Sequence, residues 1–302
     1  MKKHEEASES VFLAGIILSM ICWGLGWASG KVLVSFDSAL HISIYRFLLT
    51  SVSLVVLLLI LKERLLITRH AIPALLGATV CISAYTILYF KGLQHGHAGA
   101  GGVLVTTVNP VLTYVILLFV QRHKPNIFEI AGLLCGLLAG FILLKGWESF
   151  DVILQKDNLY FLMAIVAWSC LSLITAKAGK FGSIITFSLW MYIIATLTLL
   201  PFSDADKLLQ VFQINDWAFW GNLFFSSIIT TSLATTFYFY ATSRLGAGKA
   251  SVFIFIVPFT AALGAWLFLG ETLHIHTIAG GLLGIAAIYL INNKIFLKSK
   301  SI

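Results

Sequence analysis

Ten apolar stretches, each long enough to cross a bilayer, take up nearly all of the 302 residues, and the second half of the chain restates the first. The stretches are about 11–34, 39–61, 71–92, 98–120, 127–144, 159–176, 183–202, 217–242, 248–269 and 274–293. A spanning helix needs about 20 apolar residues, so each of the ten qualifies. Lipid offers no partner to a free backbone N–H or C=O, which leaves helices as the spanning form expected here. Residues 110–143 return without a gap as 258–291. Ile130-Ala131-Gly132-Leu133-Leu134-Cys135-Gly136 becomes Ile278-Ala279-Gly280-Gly281-Leu282-Leu283-Gly284, and Pro110 lands on Pro258. Upstream, Thr86, Tyr89 and Gly92 match Thr235, Tyr238 and Ala241, and Trp23 in the first span matches Trp168 in the sixth. Spans two and seven match poorly.

The predicted fold is therefore an all-α integral membrane protein of ten transmembrane helices in two five-helix repeats, 11–144 and 159–293. Each repeat has an odd number of spans, so the second copy starts from the opposite face. The two are then inverted about a pseudo-two-fold axis in the membrane plane. A duplicated membrane unit of this kind points to a transporter. At 59% hydrophobic and 11% charged residues, no soluble domain fits in what remains.

Charge sets the expected orientation. One face collects Lys2, Lys3, Lys62, Arg64, Arg69, Arg122, Lys124, Lys177, Lys180, Arg244, Lys249, Lys294, Lys298 and Lys300. The other has Lys31, Lys91, Lys145, Lys156 and Lys207. The positive-inside rule puts the first face, and both termini, in the cytoplasm. The same distribution accounts for the net charge of +7 and gives no basic face for nucleic acid. Cys22, Cys81, Cys135 and Cys170 are widely spaced inside apolar stretches and read as packing residues, not a disulfide framework. The polar N-terminus, with no cleavage-like site after the first helix, reads as the start of a retained span.

Several residues stand out within the spans. Asn109-Pro110 and Val257-Pro258 sit mid-span in corresponding places. Proline lacks an N–H, so the helix-breaking pair Pro110 and Pro258 is expected to leave the carbonyls of Thr106 and Ile254 without their usual donor. Such carbonyls line a cavity, or a neighbouring helix re-satisfies them. Thr106, Asn109 and Thr113 share one face of span four, and Thr231, Thr235, Tyr238 and Thr242 one face of span eight. Trp23 and Trp27 share a face of span one, and Tyr85 and Tyr89 a face of span three. Trp23 and Trp168 sit too deep for an interfacial belt, unlike Trp217 and Trp220. They read either as packing or as a stacking wall for a flat or apolar solute.

Arg46 lies seven residues into span two, about 10 Å from the outer end. It either snorkels to the headgroups, or faces the bundle to hold the helix array or an anionic group. Glu271 follows Leu269-Gly270 at the end of span nine, where it gates, takes a proton or sits among headgroups. The glycines of spans five and ten (Gly132, Gly136, Gly140; Gly280, Gly284) form ridges for close helix approach, either as scaffold or as a dimer surface. His95-Gly96-His97, His274-Ile275-His276 and His41 lack the acids or thiols of a metal centre, so no metal is expected. No phosphate-binding loop or hydrolase signature appears, and no cofactor is expected.

Taken in order, these motifs resemble the drug/metabolite transporter superfamily, EamA type. Cys22-Trp23-Gly24-Leu25-Gly26-Trp27-Ala28-Ser29-Gly30-Lys31 is similar to its opening motif, and Tyr45-Arg46-Phe47 to its "RF" signature. Arg244-Leu245-Gly246-Ala247-Gly248-Lys249-Ala250, Val257-Pro258 and Leu269-Gly270-Glu271 are similar to its second-half signature. The first half departs from the pattern, with Val120-Gln121-Arg122-His123 where the family often has "LGE". The resemblance implies a secondary transporter whose central cavity is lined by spans one, three, four, six, eight and nine. It implies export of small metabolites such as amino acids by alternating access, in a bacterial cytoplasmic (inner) membrane. The expected substrate-binding residues are Trp23, Trp27, Tyr85, Tyr89, Thr106, Asn109, Trp168, Thr235 and Tyr238, with Arg46 and Glu271 gating or coupling. The expected partners are a small-molecule substrate, membrane lipids and a proton or counter-substrate, acting on a monomer or homodimer. The competing readings are a membrane-embedded enzyme and a flippase for lipid-linked substrates.

Overall fold

The computed structural model describes residues 2–95, 98–120, 122, 124–143, 145–147, 158–269 and 275–300. Its ten long helices are α1 (Lys2–Leu33), α2 (Ala39–Leu61), α3 (Ile72–His95), α4 (Ala98–Val120), α5 (Ile127–Leu143), α6 (Asn158–Ala178), α7 (Ile184–Leu199), α8 (Trp217–Leu245), α9 and α10 (Ile275–Lys300), with a short helix, Ala205–Leu209, between α7 and α8. α9 comes in three pieces: Ala247–Val252, the 3₁₀ turn Phe253–Ile256, and Val257–Leu269. Eight of the ten contain a described stretch long and apolar enough to cross a membrane; Ile127–Leu143 and Ile278–Asn292 are shorter apolar helices.

Side-chain chemistry at the ends explains where helices start and stop. Ser38 caps α2 by accepting the His41 N–H at 3.2 Å, and Lys62 closes it in the left-handed region at φ 54°. Asn126 and Glu129 form a reciprocal capping box at α5. The Glu129 N–H donates to Asn126 Oδ1 at 3.0 Å and the Asn126 N–H to Glu129 Oε2 at 2.9 Å. Asp216 caps α8 through the Ala218 N–H. Gly246, at φ 84°, makes the turn into α9 that a side chain would oppose.

The packing map shows the duplication directly. α3 lies along α6 as α8 lies along α1, and α4 lies against α6 as α9 lies against α1. α2 pairs with α7, α5 with α10, and α4 with α9. Exchanging each helix for its counterpart in the other repeat leaves this map unchanged. The α5–α10 seam fixes the axis. A Cβ on Gly132 would sit 2.9 Å from the Ala287 carbonyl, and one on Gly280 would sit 3.0 Å from the Ala139 carbonyl. Gly132 and Gly280 are repeat counterparts, as are Ala139 and Ala287. The two contacts run in opposite directions along the helices, so α5 and α10 are antiparallel and the relating axis is perpendicular to them. The repeats are inverted. The glycines of both ridges are covered inside one chain: Gly132 and Gly280 by the opposite helix of the seam, Gly136 and Gly284 by Phe255 of α9, and Gly140 by Thr107 of α4, which corrects the option of a dimer surface for these faces.

The outer wall is apolar and bare. Val52, Leu59 and Leu134 are each 60–70% exposed, while Phe161, Phe187, Phe253 and Tyr192 are fully buried. Exposed aliphatic side chains around a buried aromatic interior are what a lipid solvent selects.

Candidate functional site

A cavity lies among α1, α2, α3, α4, α6, α7, α8 and α9. The part open to the centre of a water molecule is about 50 Å³, room for about three to five waters. The site sits on the pseudo-two-fold axis, because the repeat counterparts Trp23 and Trp168 meet there edge to face, with ring centroids 4.9 Å apart. Tyr85 packs on Trp168 at 4.5 Å, Trp27 on Tyr89 at 4.8 Å, and Tyr85 stacks on Tyr89 at 5.9 Å. The indole N–H of Trp23 lies 3.2 Å from both the Thr230 carbonyl and Thr235 Oγ1, and the Tyr89 hydroxyl donates to the Gly26 carbonyl at 3.1 Å. Geometry of this kind holds large rings in place, so they present faces and edges to whatever enters.

Eight of the nine residues nominated from sequence line this cavity: Trp23, Trp27, Tyr85, Tyr89, Thr106, Asn109, Trp168 and Thr235. Tyr238 does not. It lies behind the wall, fully buried, its ring 4.9 Å from Trp23 and 5.8 Å from Trp168, its hydroxyl paired with Ser172. Glu271, His97 and His274 lie outside the described residues. His41 is held by Asp37 at 2.8 Å, and His95 stacks against Tyr160. Among the described residues no three His, Cys, Asp or Glu side chains gather as a metal group would.

The prolines behave differently from the sequence expectation. α4 continues as helix through Pro110 and is not broken there; losing one N–H is tolerated in a helix packed on neighbours. Before Pro258, α9 tightens into the 3₁₀ turn, and the Val257 N–H reaches the Ile254 carbonyl. The carbonyl expected to be open at Ile254 is therefore satisfied locally.

The counterparts that line the cavity are unequal in chemistry. Thr86 faces Thr235 as a matched pair, but Thr106 stands against Ile254 and Asn109 against Val257. At these two positions the first repeat supplies the polar side chain and the second an apolar one. Asn109 is fully buried; its Nδ2 donates to Ser169 Oγ at 3.2 Å, while its Oδ1 has no partner among the described residues. Sequence reasoning missed Tyr192 and Phe47, which line the cavity from α7 and α2 with rings 5.3 Å apart. The poor repeat match of those two spans hid them.

α8 is unusual at the cavity. Phe225–Thr235 is wound as a π-helix, and the hydroxyls of Thr231 and Thr235 reach carbonyls five residues back, at Ser226 and Thr230. Widened turns of this kind are rare and concentrate at functional sites. Thr230, Thr231 and Thr235 face the central cavity. Ser232, Leu233 and Thr236 face a second hollow, bounded also by Leu57, Glu63 and Ser183 near the ends of α2 and α7.

The sequence profile of the EamA-like transporter family matches residues 11–145 and again 155–293. The chain belongs to the EamA-like transporter family. Other comparisons agree with that membership. The chain is 26% identical over 281 residues to YoaV of Bacillus subtilis (strain 168), described as an uncharacterized transporter, covering 92% of this chain and 95% of that one. It is 22% identical over 285 residues to an uncharacterized transporter of Archaeoglobus fulgidus. It is 27% identical over 236 residues to a chloroplastic WAT1-related protein of Arabidopsis thaliana, of which it covers 54%. A solved crystal structure superposes with a TM-score of 0.72 at 15% identity, covering 96% of this EamA-family chain and 99% of the other, a likeness of fold.

Proposed function

We propose that this EamA-family protein is a secondary transporter that exports small metabolites, amino acids with aromatic or apolar side chains first among them, by alternating access through the central cavity. The observation that carries the reading is the placement of that cavity on the axis that exchanges the two repeats. A site on the axis is the one place reached equally from both faces when the halves rock. Trp23, Trp168 and Tyr85 would hold the apolar body of the solute. Asn109, Thr106 and Thr235 would hold its polar part. An aromatic amino acid has roughly a dozen heavy atoms, against room for about three to five waters, so the halves must part to admit it. The second hollow beside α8 would serve as the vestibule toward the basic face. We place the protein in a bacterial cytoplasmic membrane with both termini inside, and coupled to a proton or counter-substrate.

The test is flux into proteoliposomes of labelled phenylalanine, tryptophan, leucine and related solutes, with and without a proton gradient or internal counter-substrate. Saturable flux that Trp23→Ala and Trp168→Ala abolish is expected. Absence of flux across the panel, with folded protein in the vesicles, would defeat the proposal.

A further inference from the structure

Arg46 is the one charged side chain lining the central cavity among the described residues. It enters seven residues along α2 from Ala39 and turns into the bundle, not out to the headgroups. Its Nε donates to Thr231 Oγ1 at 2.7 Å, and its guanidinium carbon lies 5.6 Å from the centroid of Phe90. Thr231 is oriented to receive it, because its own hydroxyl hydrogen is committed to the Ser226 carbonyl within the π-helix.

A guanidinium has five N–H groups in a flat fork. One of Arg46's is used; among the described residues no acceptor lies within hydrogen-bond reach of the other four, and no carboxylate pairs with the charge. Asp37, the acid on the same side, is already taken by His41 Nδ1 at 2.8 Å and the Tyr45 hydroxyl at 3.0 Å. A charge within the membrane is costly and ordinarily paired. A second feature points the same way. The Tyr192 hydroxyl, on a fully buried residue that lines the same cavity as Arg46, has no partner among the described residues either. A cation with unused donors and an orphan hydroxyl, on a wall with no described acid, is the complement of a carboxylate.

We infer that the cargo carries a carboxylate or an equivalent organic anion, that Arg46 and Tyr192 bind it, and that the neighbouring rings of Tyr85, Trp168 and Trp23 take its apolar body. The inference rests on the transport reading for the word cargo, but the anion site stands or falls by binding. It also ranks solutes. A carboxylate with an apolar body binds best, the matching neutral amide is weaker, and the matching amine is weakest because it meets the Arg46 charge.

The experiment uses the full chain in nanodiscs and three matched probes: 3-phenylpropionate, 3-phenylpropionamide and 2-phenylethylamine. Binding is read by calorimetry and by thermal shift, and flux of the same compounds is read in proteoliposomes. In the wild type the carboxylate is expected to bind best. Arg46→Gln should weaken it by about 10- to 100-fold, the span of a charged hydrogen-bonded contact, with little effect on the amide. Arg46→Lys keeps the charge and loses the fork, and Thr231→Val frees the guanidinium from its positioning acceptor. Both should fold and give intermediate losses confined to the carboxylate, and they keep the test valid if the glutamine variant does not assemble. Equal or better binding of the amine or amide overturns the inference. So does an equal loss for all three probes, or no binding of the carboxylate at all. Arg46-dependent carboxylate binding without flux would keep the anion site and remove the transport reading. Flux of amines indifferent to Arg46 would do the reverse.

Discussion

Replacing Asn109 by valine tests whether this polar side chain serves the solute or the fold. The variant copies onto the first repeat what the second already has at the counterpart, Val257. Asn109 makes one good side-chain hydrogen bond, Nδ2 to Ser169 Oγ at 3.2 Å, and a marginal one to the Ile165 carbonyl at 3.5 Å. Losing the good bond costs about 0.5–1.5 kcal/mol. Ser169 limits that loss, because its hydroxyl can turn back to the Ile165 carbonyl four residues earlier. On the other side stands Oδ1, fully buried with no partner among the described residues. Removing a buried unsatisfied acceptor returns about 1–3 kcal/mol. The balance leaves stability unchanged or raised by up to ~2 kcal/mol. Transport should nevertheless fall at least tenfold, since a solute polar group then meets a methyl. Thermal unfolding in detergent and initial flux in proteoliposomes, on the same preparation, read the two effects. A clear drop in melting temperature would show that Oδ1 is a working structural acceptor. Undiminished flux would show that Asn109 does not touch the solute. Either result refutes the reasoning.

Three further expectations follow from the geometry. Gly132→Ala and Gly280→Ala should each destabilise the protein by about 1–3 kcal/mol through overpacking, and by similar amounts because their contacts are reciprocal. Thermal unfolding checks this, and a gain in stability, the usual result for alanine on a free helix face, would mean that α5 and α10 do not close on these glycines. Trp23→Phe removes the indole N–H between Thr230 and Thr235 and should cost about 0.5–1.5 kcal/mol, with weaker solute binding in a titration. With Cys22, Cys81, Cys135 and Cys170 replaced by serine, single cysteines at Glu63 and Ser203 should react with an impermeant maleimide from opposite faces of sealed vesicles. Labelling of both from one side contradicts the helix order.

Much of this was legible in the chain because lipid imposes few solutions. A run of apolar residues of spanning length has to be a helix, and the return of 110–143 as 258–291 gives the repeat. The Trp23–Trp168 meeting was readable once those residues were seen to be counterparts sited too deep for a belt. What failed to show is equally specific. A Gly-x-x-x-Gly ridge says that something comes close but not what, so the α5–α10 seam could not be told from a dimer contact. A proline says that a donor is missing but not that the chain will tighten into a 3₁₀ turn and satisfy Ile254 from Val257. The hydroxyl stripe of α8 was read at α-helical spacing, which put Tyr238 on the cavity face. The π-wound stretch ends at Thr235, and Tyr238 sits behind the two tryptophans instead. Tyr192 had no counterpart pattern to announce it.

The wide coil of α8 makes that helix a screw with spare thread. Each residue of an α-helix advances the chain by about 100° of rotation, so drawing one residue of slack out of 225–235 would turn everything below it by that angle. The upper end is pinned at Asp216 and would stay. Tyr238 would swing out from under Trp23 and Trp168, and the side chains that now divide the inner chamber from the hollow beside Glu63 would change places. Because Tyr238 is packed on both tryptophans and bonded to Ser172, and Thr242 to Thr175, such a turn would have to carry α1 and α6 with it.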